Sequence, residues 1–283
     1  MKLTTIETGY FKLDGGAMFG VVPKSMWQRL NPADENNLCT WALRCLLIER
    51  DNRLILVDTG MGDKQDDKFR SIFQPFGPDS MAKSIRKAGY GLDDITDVFL
   101  THLHFDHVGG AVTRNDRGQL VPTFDNASYW STDKHLNWAL HPNPREKASF
   151  LIENIEPLQA HGVLKYIEEQ SVTTNWLHDI EILFVYGHTE SMMIPIIPIG
   201  DRKLAYCADL IPSSHHLGLP YIMSYDLRPL DTMAEKANFL ERALNEDWIL
   251  FFEHDPLVPC ATLKRDHNGR ITIDQSGPLN HFV

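Results

Sequence analysis

Short apolar runs, each closed by a polar or glycine-containing turn, set the rhythm of this chain. Residues 3 to 8 predict an edge strand. Trp41-Ala42-Leu43-Arg44-Cys45-Leu46-Leu47-Ile48 and Leu54-Ile55-Leu56-Val57 predict a hairpin whose polar turn is Glu49 to Arg53. Ser80 to Ala88 has helical spacing and stops at Gly89. Asp97-Val98-Phe99-Leu100 reads as a buried strand, and residues 120 to 130 as a strand pair. Helices follow over Ser131 to Leu140, with a Ser/Thr cap, and over Ala148 to Ala160. The rigid connection Leu140-His141-Pro142-Asn143-Pro144 lies between them, and its His141 suits a surface or loop role.

In the second half, Glu181 to Tyr186, Met193 to Ile199, Lys203 to Cys207 and Trp248 to Phe252 are apolar strands, and strands near 258–264 and 270–274 finish the chain. Asp231 opens the clearest late helix, where Thr232 with Glu235 fits a capping box and apolar residues recur through Leu244. Alternating strands and helices after a strand-rich start predict two sheets with helices outside them.

The stretch from Asp14 to Asn37 breaks that rhythm. It reads as a loop of more than twenty residues, at about 15–37, and such loops inside compact domains are usually functional or flexible. Its Met18, Phe19, Val21, Val22 and Trp27 are costly to leave in water. They either line a substrate pocket or a subunit contact, or pack down as core; the pattern leaves both open. At 283 residues the chain has the length of one large domain, 1–283.

Composition adds exclusions. A content of 43% hydrophobic and 23% charged residues is that of a soluble globular protein, and a net charge of -11 provides no basic field for nucleic acid or an anionic membrane. Cys39, Cys45, Cys207 and Cys260 are scattered without a C-x-x-C pair, which predicts buried reduced thiols. Residues Met1 to Glu7 carry no apolar signal core and no run reaches membrane-span length, so a cytoplasmic location is expected.

Chemistry concentrates at strand ends. His102-Leu103-His104-Phe105-Asp106-His107 follows the strand at Val98, with Gly109-Gly110 next. His102 and His104 are two apart, so in extended chain their rings project to one side. A bend then lets Asp106 and His107 face a second metal, and the glycines let the backbone pass closely beneath. Imidazole and carboxylate ligands without thiolate suit zinc or a similar divalent ion. The same pattern, apolar strand then ligand-type residue, recurs at His188, Asp209 and His254. Asp58, at another strand end, reads either as an orienting partner for a ligand histidine or as a turn residue.

T-H-L-H-F-D-H-V-G-G, followed by G-H-T, A-D and E-H-D, with L-V-D-T-G before them, resembles the metallo-β-lactamase fold superfamily over almost the whole chain. Within it the pattern is most similar to N-acyl homoserine lactonases and related esterases or organophosphate hydrolases. The resemblance implies an α+β fold, a four-layer αββα sandwich of two mixed sheets. It implies His102, His104 and His188 on one zinc, Asp106, His107 and His254 on the other, and Asp209 bridging both; Mn²⁺, Fe²⁺ or Co²⁺ would suit the same ligands. A hydroxide shared by the metals would attack the carbonyl of a small ester or lactone, and Asp106 would pass a proton to the leaving alkoxide.

Alternatives from the same resemblance are aryl ester or phosphotriester hydrolysis, a glyoxalase II type of thioester hydrolysis, and a non-catalytic metal scaffold. His104 stands where redox di-iron members carry Glu, and Asp209 where true β-lactamases carry Cys or Ser; both favour the hydrolytic group. One departure concerns the substrate: small lactonases place Tyr three residues after the bridging Asp, and here that residue is Pro212. His215, Tyr221 or Tyr225 are candidate replacements, and Met18, Phe19 and Trp27 candidate pocket residues. The apolar 15–37 stretch makes a homodimer a further expectation.

Overall fold

The computed structural model describes residues 1–283 apart from 172 and 178. β1 (Lys2–Asp14) runs into two short helices, α1 (Gly15–Phe19) and α2 (Lys24–Trp27), before β2 (Leu38–Arg50) and β3 (Arg53–Val57) form the expected hairpin. α3 (Asp67–Phe73) and α4 (Met81–Lys87) lead to β4 (Asp97–Phe99), which delivers α5 (Phe105–Val108). A ribbon of β5 (Val112–Arg114) and β6 (Leu120–Pro122) follows, then β7 (Ser128–Ser131), α6 (Asp133–Leu140), α7 (Glu156–Ala160) and β8 (Leu164–Tyr166).

The second half is mostly sheet: β9 (Thr173–Trp176), β10 (Ile180–Val185), β11 (Met192–Ile199), β12 (Arg202–Tyr206), β13 (Ile249–Phe251), β14 (Cys260–Arg265) and β15 (Ile271–Gly277). Its long helix, α8 (Pro229–Asn245), joins β12 to β13, the parallel pair of this sheet, as a parallel pair requires a crossover.

Strand order in the first sheet is β1-β2-β3-β4-β7-β8, with β3, β4, β7 and β8 parallel; in the second it is β15-β14-β13-β12-β11-β10-β9. The chain divides into two compact units, Met1–Gly9 with Leu43–Glu169 and Tyr10–Ala42 with Gln170–Val283. In the first, Leu56, Val98, Leu100, Phe124 and Tyr129 form a continuous apolar core. Asp97 is buried within it and is satisfied by Arg53 Nη1 at 2.8 Å and Trp130 Nε1 at 2.8 Å. In the second, α8 turns Phe239, Leu240 and Ala243 inward, and Phe239 meets Trp248 edge-on. All four cysteines are buried free thiols. Among the described residues no helix is long and apolar enough to cross a membrane.

Four local readings differ from the sequence expectation. The 15–37 stretch is not structureless: Asp14 caps α1 by accepting from Ala17 N, and Phe19 and Trp27 are buried. The strands within 120–130 pair with β5 and β4 respectively, not with each other. The helix expected over 148–160 shortens to α7, because Pro157 supplies no N–H and suits only the first turn of a helix. α8 begins at Pro229, one turn before the expected cap, so Glu235 does not close a capping box; its carboxylate accepts instead from Tyr186 N and Gly187 N at 2.7 and 3.0 Å.

An aromatic column runs through the second unit. Phe19 stacks on Trp27 with centroids 5.3 Å apart and on His216 with centroids 4.8 Å apart. His216 Nδ1 meets Ser213 Oγ at 2.7 Å and Nε2 meets the Met18 carbonyl at 2.9 Å. Burial pushes the His216 pKa down to about 3 from 6.5. The unfolded chain therefore takes up a proton near pH 6.5, which the folded chain refuses until about pH 3, so stability falls as pH drops through that window. From pH 7.5 to 5 this group removes about 2 kcal/mol. Urea unfolding of wild type and His216→Phe at both pH values should show a smaller loss in the variant by that amount; equal losses would show that His216 does not set the acid sensitivity.

Candidate metal centre

Asp58, at the end of β3, and Thr101, just past β4, stand at the ends of adjacent parallel strands. Asp58 is fully buried with φ of 57°, a left-handed conformation that Asp tolerates better than most residues. Its carboxylate accepts from Thr101 N at 2.8 Å and from Thr101 Oγ1 at 2.7 Å, and lies 3.0 Å from His107 Nδ1. Because the Thr101 hydroxyl proton is given to Asp58, His102 Nδ1, 3.0 Å from Thr101 Oγ1, is assigned as the donor to it. That leaves His102 Nε2 as a lone pair.

His104 is oriented in the opposite sense. Its Nε2 donates to Glu146 Oε1 at 3.0 Å, which leaves Nδ1 as a lone pair. Glu146, 4% exposed, is held by Trp138 Nε1 at 2.7 Å and Asn143 Nδ2 at 3.2 Å on its other oxygen. The two unprotonated nitrogens, His102 Nε2 and His104 Nδ1, then face each other at 3.0 Å. Two lone pairs so placed repel unless a cation draws on both, and neutral imidazoles braced by oxygen on the far nitrogen are what a divalent metal takes.

α5 is a single turn, and it brings Asp106 Oδ2 to 3.9 Å from His107 Nε2. The His107 carbonyl accepts both from Thr59 N at 2.8 Å and from Thr59 Oγ1 at 2.7 Å. The following glycines are steric necessities: a Cβ on Gly109 would stand 2.0 Å from the Met61 carbonyl, and one on Gly110 2.1 Å from that of Thr59.

The second unit presents further ligand-type residues. His188 follows the two backbone N–H groups that Glu235 holds, and its Nδ1 lies 2.8 Å from Asp226 Oδ1. His254 is fixed through Nδ1 on the Ala42 carbonyl at 2.8 Å and through its own N–H on the Pro212 carbonyl at 3.0 Å. Asp209, in the short turn Ala208–Leu210 after β12, faces both: Oδ2 is 3.1 Å from His188 Nε2 and Oδ1 3.2 Å from His254 Nε2. One oxygen toward each imidazole is the presentation a bridging carboxylate needs. Burial lowers the pKa of His188, but Asp209 and Asp226 outweigh it and raise it to about 10, so positive charge is favoured at this point. Buried His and Asp groups able to hold a divalent metal are thus present in the chain.

The remaining sequence candidates, His141 apart, lie in the second unit. Met18, Phe19 and Trp27 lie inside the second unit, Phe19 covered on both ring faces by Trp27 and His216. Tyr221 packs edge-on to Phe19, and Tyr225 is 38% exposed. His215 is half-buried, its Nε2 has no hydrogen-bond partner among the described residues, and burial lowers its pKa. His141 is exposed and bonds the Asn137 carbonyl. Sequence reasoning missed Glu146 and Asp226, which sit on no strand end. It also missed Lys236, fully buried, whose Nζ donates to the carbonyls of His216, Gly218 and Tyr221 at 3.0, 3.0 and 2.8 Å. A lysine on the inward face of a helix pattern was the one available signal for it.

The sequence pattern of the Metallo-beta-lactamase superfamily matches residues 44–254. The chain belongs to that superfamily. An N-acyl homoserine lactonase of a Bacillus species is 29% identical over 89% of this chain and 94% of its own length. A probable metal-dependent hydrolase from Staphylococcus aureus superposes with a TM-score of 0.87 at 24% identity, covering 97% of this chain and 95% of that one. AidC, a dizinc quorum-quenching lactonase in complex with a product, superposes with a TM-score of 0.78 at 24% identity, covering 98% and 95%. The α+β architecture described above is the metallo-beta-lactamase fold, and this superfamily member is a metal-dependent hydrolase.

Glu146 is a carboxylate whose negative charge raises the basicity of His104 through Nε2–H. Glu146→Gln keeps the acceptor and removes the charge, and metal affinity should fall by about tenfold or more. Competition against a chromophoric chelator measures it, and an affinity equal to wild type would remove Glu146 from the centre.

Proposed function

We propose that this chain opens a lactone or cleaves an ester, with an N-acyl homoserine lactone as the substrate, at a centre of two zinc ions. His102, His104 and His188 hold one ion, Asp106, His107 and His254 hold the other, and Asp209 is shared. The observation that carries the reading is Asp209, a buried carboxylate with one oxygen toward His188 and the other toward His254, as a carboxylate shared by two ions would be placed. Support also comes from the full-length lactonase relative at 29% identity. Two ions held by these residues would supply Lewis-acid polarisation of the substrate carbonyl and activation of water near neutral pH.

The chain's own groups do the rest. Asp58, Glu146 and Asp226 fix the imidazole tautomers, so that each ligand nitrogen keeps its lone pair through the reaction. Asp106, 8% exposed, would be a ligand through one oxygen and with the other would take the proton given up by the attacking water and pass it to the leaving alkoxide. Pro212 cannot donate a side-chain hydrogen bond to the substrate as a lactonase Tyr would, and its carbonyl is already committed to His254 N. His215, whose Nε2 has no partner among the described residues, is the candidate donor in its stead.

Purified protein should carry about two metal ions per chain, lose activity on exhaustive chelation and recover it with zinc. An N-acyl homoserine lactone panel read by ring-opening proton release should give turnover above that on a phosphotriester. Metal-loaded protein inactive on every lactone but active on the phosphotriester would overturn the substrate assignment. A content of about one ion would overturn the dinuclear centre.

A further inference from the structure

Lys236 is fully buried on α8, in the same unit as the segment that follows Asp209. Taking an ammonium out of water is costly, and burial pulls its pKa down to about 7 from 10.5, with Asp226 acting in the opposite sense. Its three protons are all placed: Nζ donates to the carbonyls of His216, Gly218 and Tyr221 at 3.0, 3.0 and 2.8 Å. Three acceptors converging on one point match an ammonium and not the planar fork of a guanidinium. Residues 217–221 form neither helix nor strand, and Pro220 has no N–H to give, so these carbonyls find a donor in Lys236.

The turn just before this segment is tied at both ends. Ser214–His216 is a single 3-10 turn, and it carries His215. At its start, Ser214 N and Ser214 Oγ donate to Asp255 Oδ2 at 2.9 and 2.5 Å, and His215 N donates to Ser213 Oγ at 3.3 Å. At its end, Lys236 holds the His216 carbonyl, and the His216 ring lies between Ser213 Oγ and the Met18 carbonyl. His215 itself is half-buried, and its Nε2 is enclosed without a partner among the described residues. A buried ring nitrogen left uncommitted costs stability, and where its neighbours are all bound it is the atom available to a ligand.

We propose that Lys236 is a positioning residue: by holding the carbonyls of His216, Gly218 and Tyr221 it fixes the turn so that His215 Nε2 stays directed at the substrate. The substrate role of His215 rests on the hydrolytic reading; the hold of Lys236 on the turn does not. A side chain needed only to fill space would be replaced with little loss by Met, which has nearly the same length and no donor. Gln brings two N–H donors and no charge. The two variants together separate bulk, charge and hydrogen bonding.

Magnetic resonance of the zinc-loaded full chain, labelled in its imidazoles, follows the His215 titration without substrate. Burial holds the wild-type His215 pKa below 6.5, against the pull of Asp255. In Lys236→Met it should rise toward 6.5 as the ring gains water, and in Lys236→Gln it should rise less. An unshifted His215 in Lys236→Met overturns the proposal, as do equal shifts in the two variants, which would assign the change to lost charge. Where Lys236→Met does not fold, an unshifted His215 in Lys236→Gln overturns it. Kinetics on a lactone give the second readout. Lys236→Met should lower kcat by about tenfold, and Lys236→Met combined with His215→Ala should lose no more than His215→Ala alone. Losses that multiply would show that Lys236 acts apart from His215 and overturn the proposal. A wild type inactive on every ester and lactone overturns the hydrolytic reading instead, and the titration then decides the hold of Lys236 by itself.

Discussion

Burial of imidazole is the constraint on which this structure depends. A histidine taken out of water must keep one nitrogen protonated and give that proton to an oxygen, and the other nitrogen must then find a cation or a donor. Each ligand-type histidine meets the first demand inside its own unit: His102 on Thr101, His104 on Glu146, His107 on Asp58, His188 on Asp226 and His254 on the Ala42 carbonyl. The second nitrogens of His102 and His104 face each other, and those of His188 and His254 face the Asp209 carboxylate. Both presentations favour positive charge, which a proton or a divalent cation can supply.

Much of the fold serves to hold the supporting oxygens. Asp58 reaches Thr101 and His107 because β3 and β4 are parallel neighbours whose C-terminal ends coincide. Gly109 and Gly110 permit the backbone to return within about a van der Waals contact of Met61 and Thr59, where any side chain would collide. In the second unit Glu235 ties α8 to the residues just before His188, and Gly187 is needed because a Cβ there would stand 2.2 Å from Thr232 N. Lys236, one residue on, spends its ammonium on three carbonyls of the 216–221 segment. One helix thus holds both a ligand-type histidine and the loop after Asp209.

The 15–37 stretch shows how composition alone misleads. Three glycines, two prolines and scattered large apolar residues have neither helical nor strand period, so the stretch reads as loop. In the structure its aromatics are ordered by each other and by His216, through a stack assembled from residues nearly two hundred positions apart. No window of sequence contains that contact. The shortened α7 and the displaced start of α8 are smaller cases of the same kind, where proline fixed a boundary that periodicity had placed elsewhere.

Sequence by itself determined the chemistry: which residue types end the apolar strands, that they are imidazoles and carboxylates without thiolate, and, through their motifs, the superfamily. These are local properties, carried by strand period and by residues a few positions apart. Tertiary structure alone decided the tautomers, through Glu146 and Asp226, and buried the Lys64 ammonium on the Gly109 carbonyl. The physical reason is that a hydrogen-bond partner is chosen by distance in space and by exclusion from water. Neither quantity is written in the order of the chain.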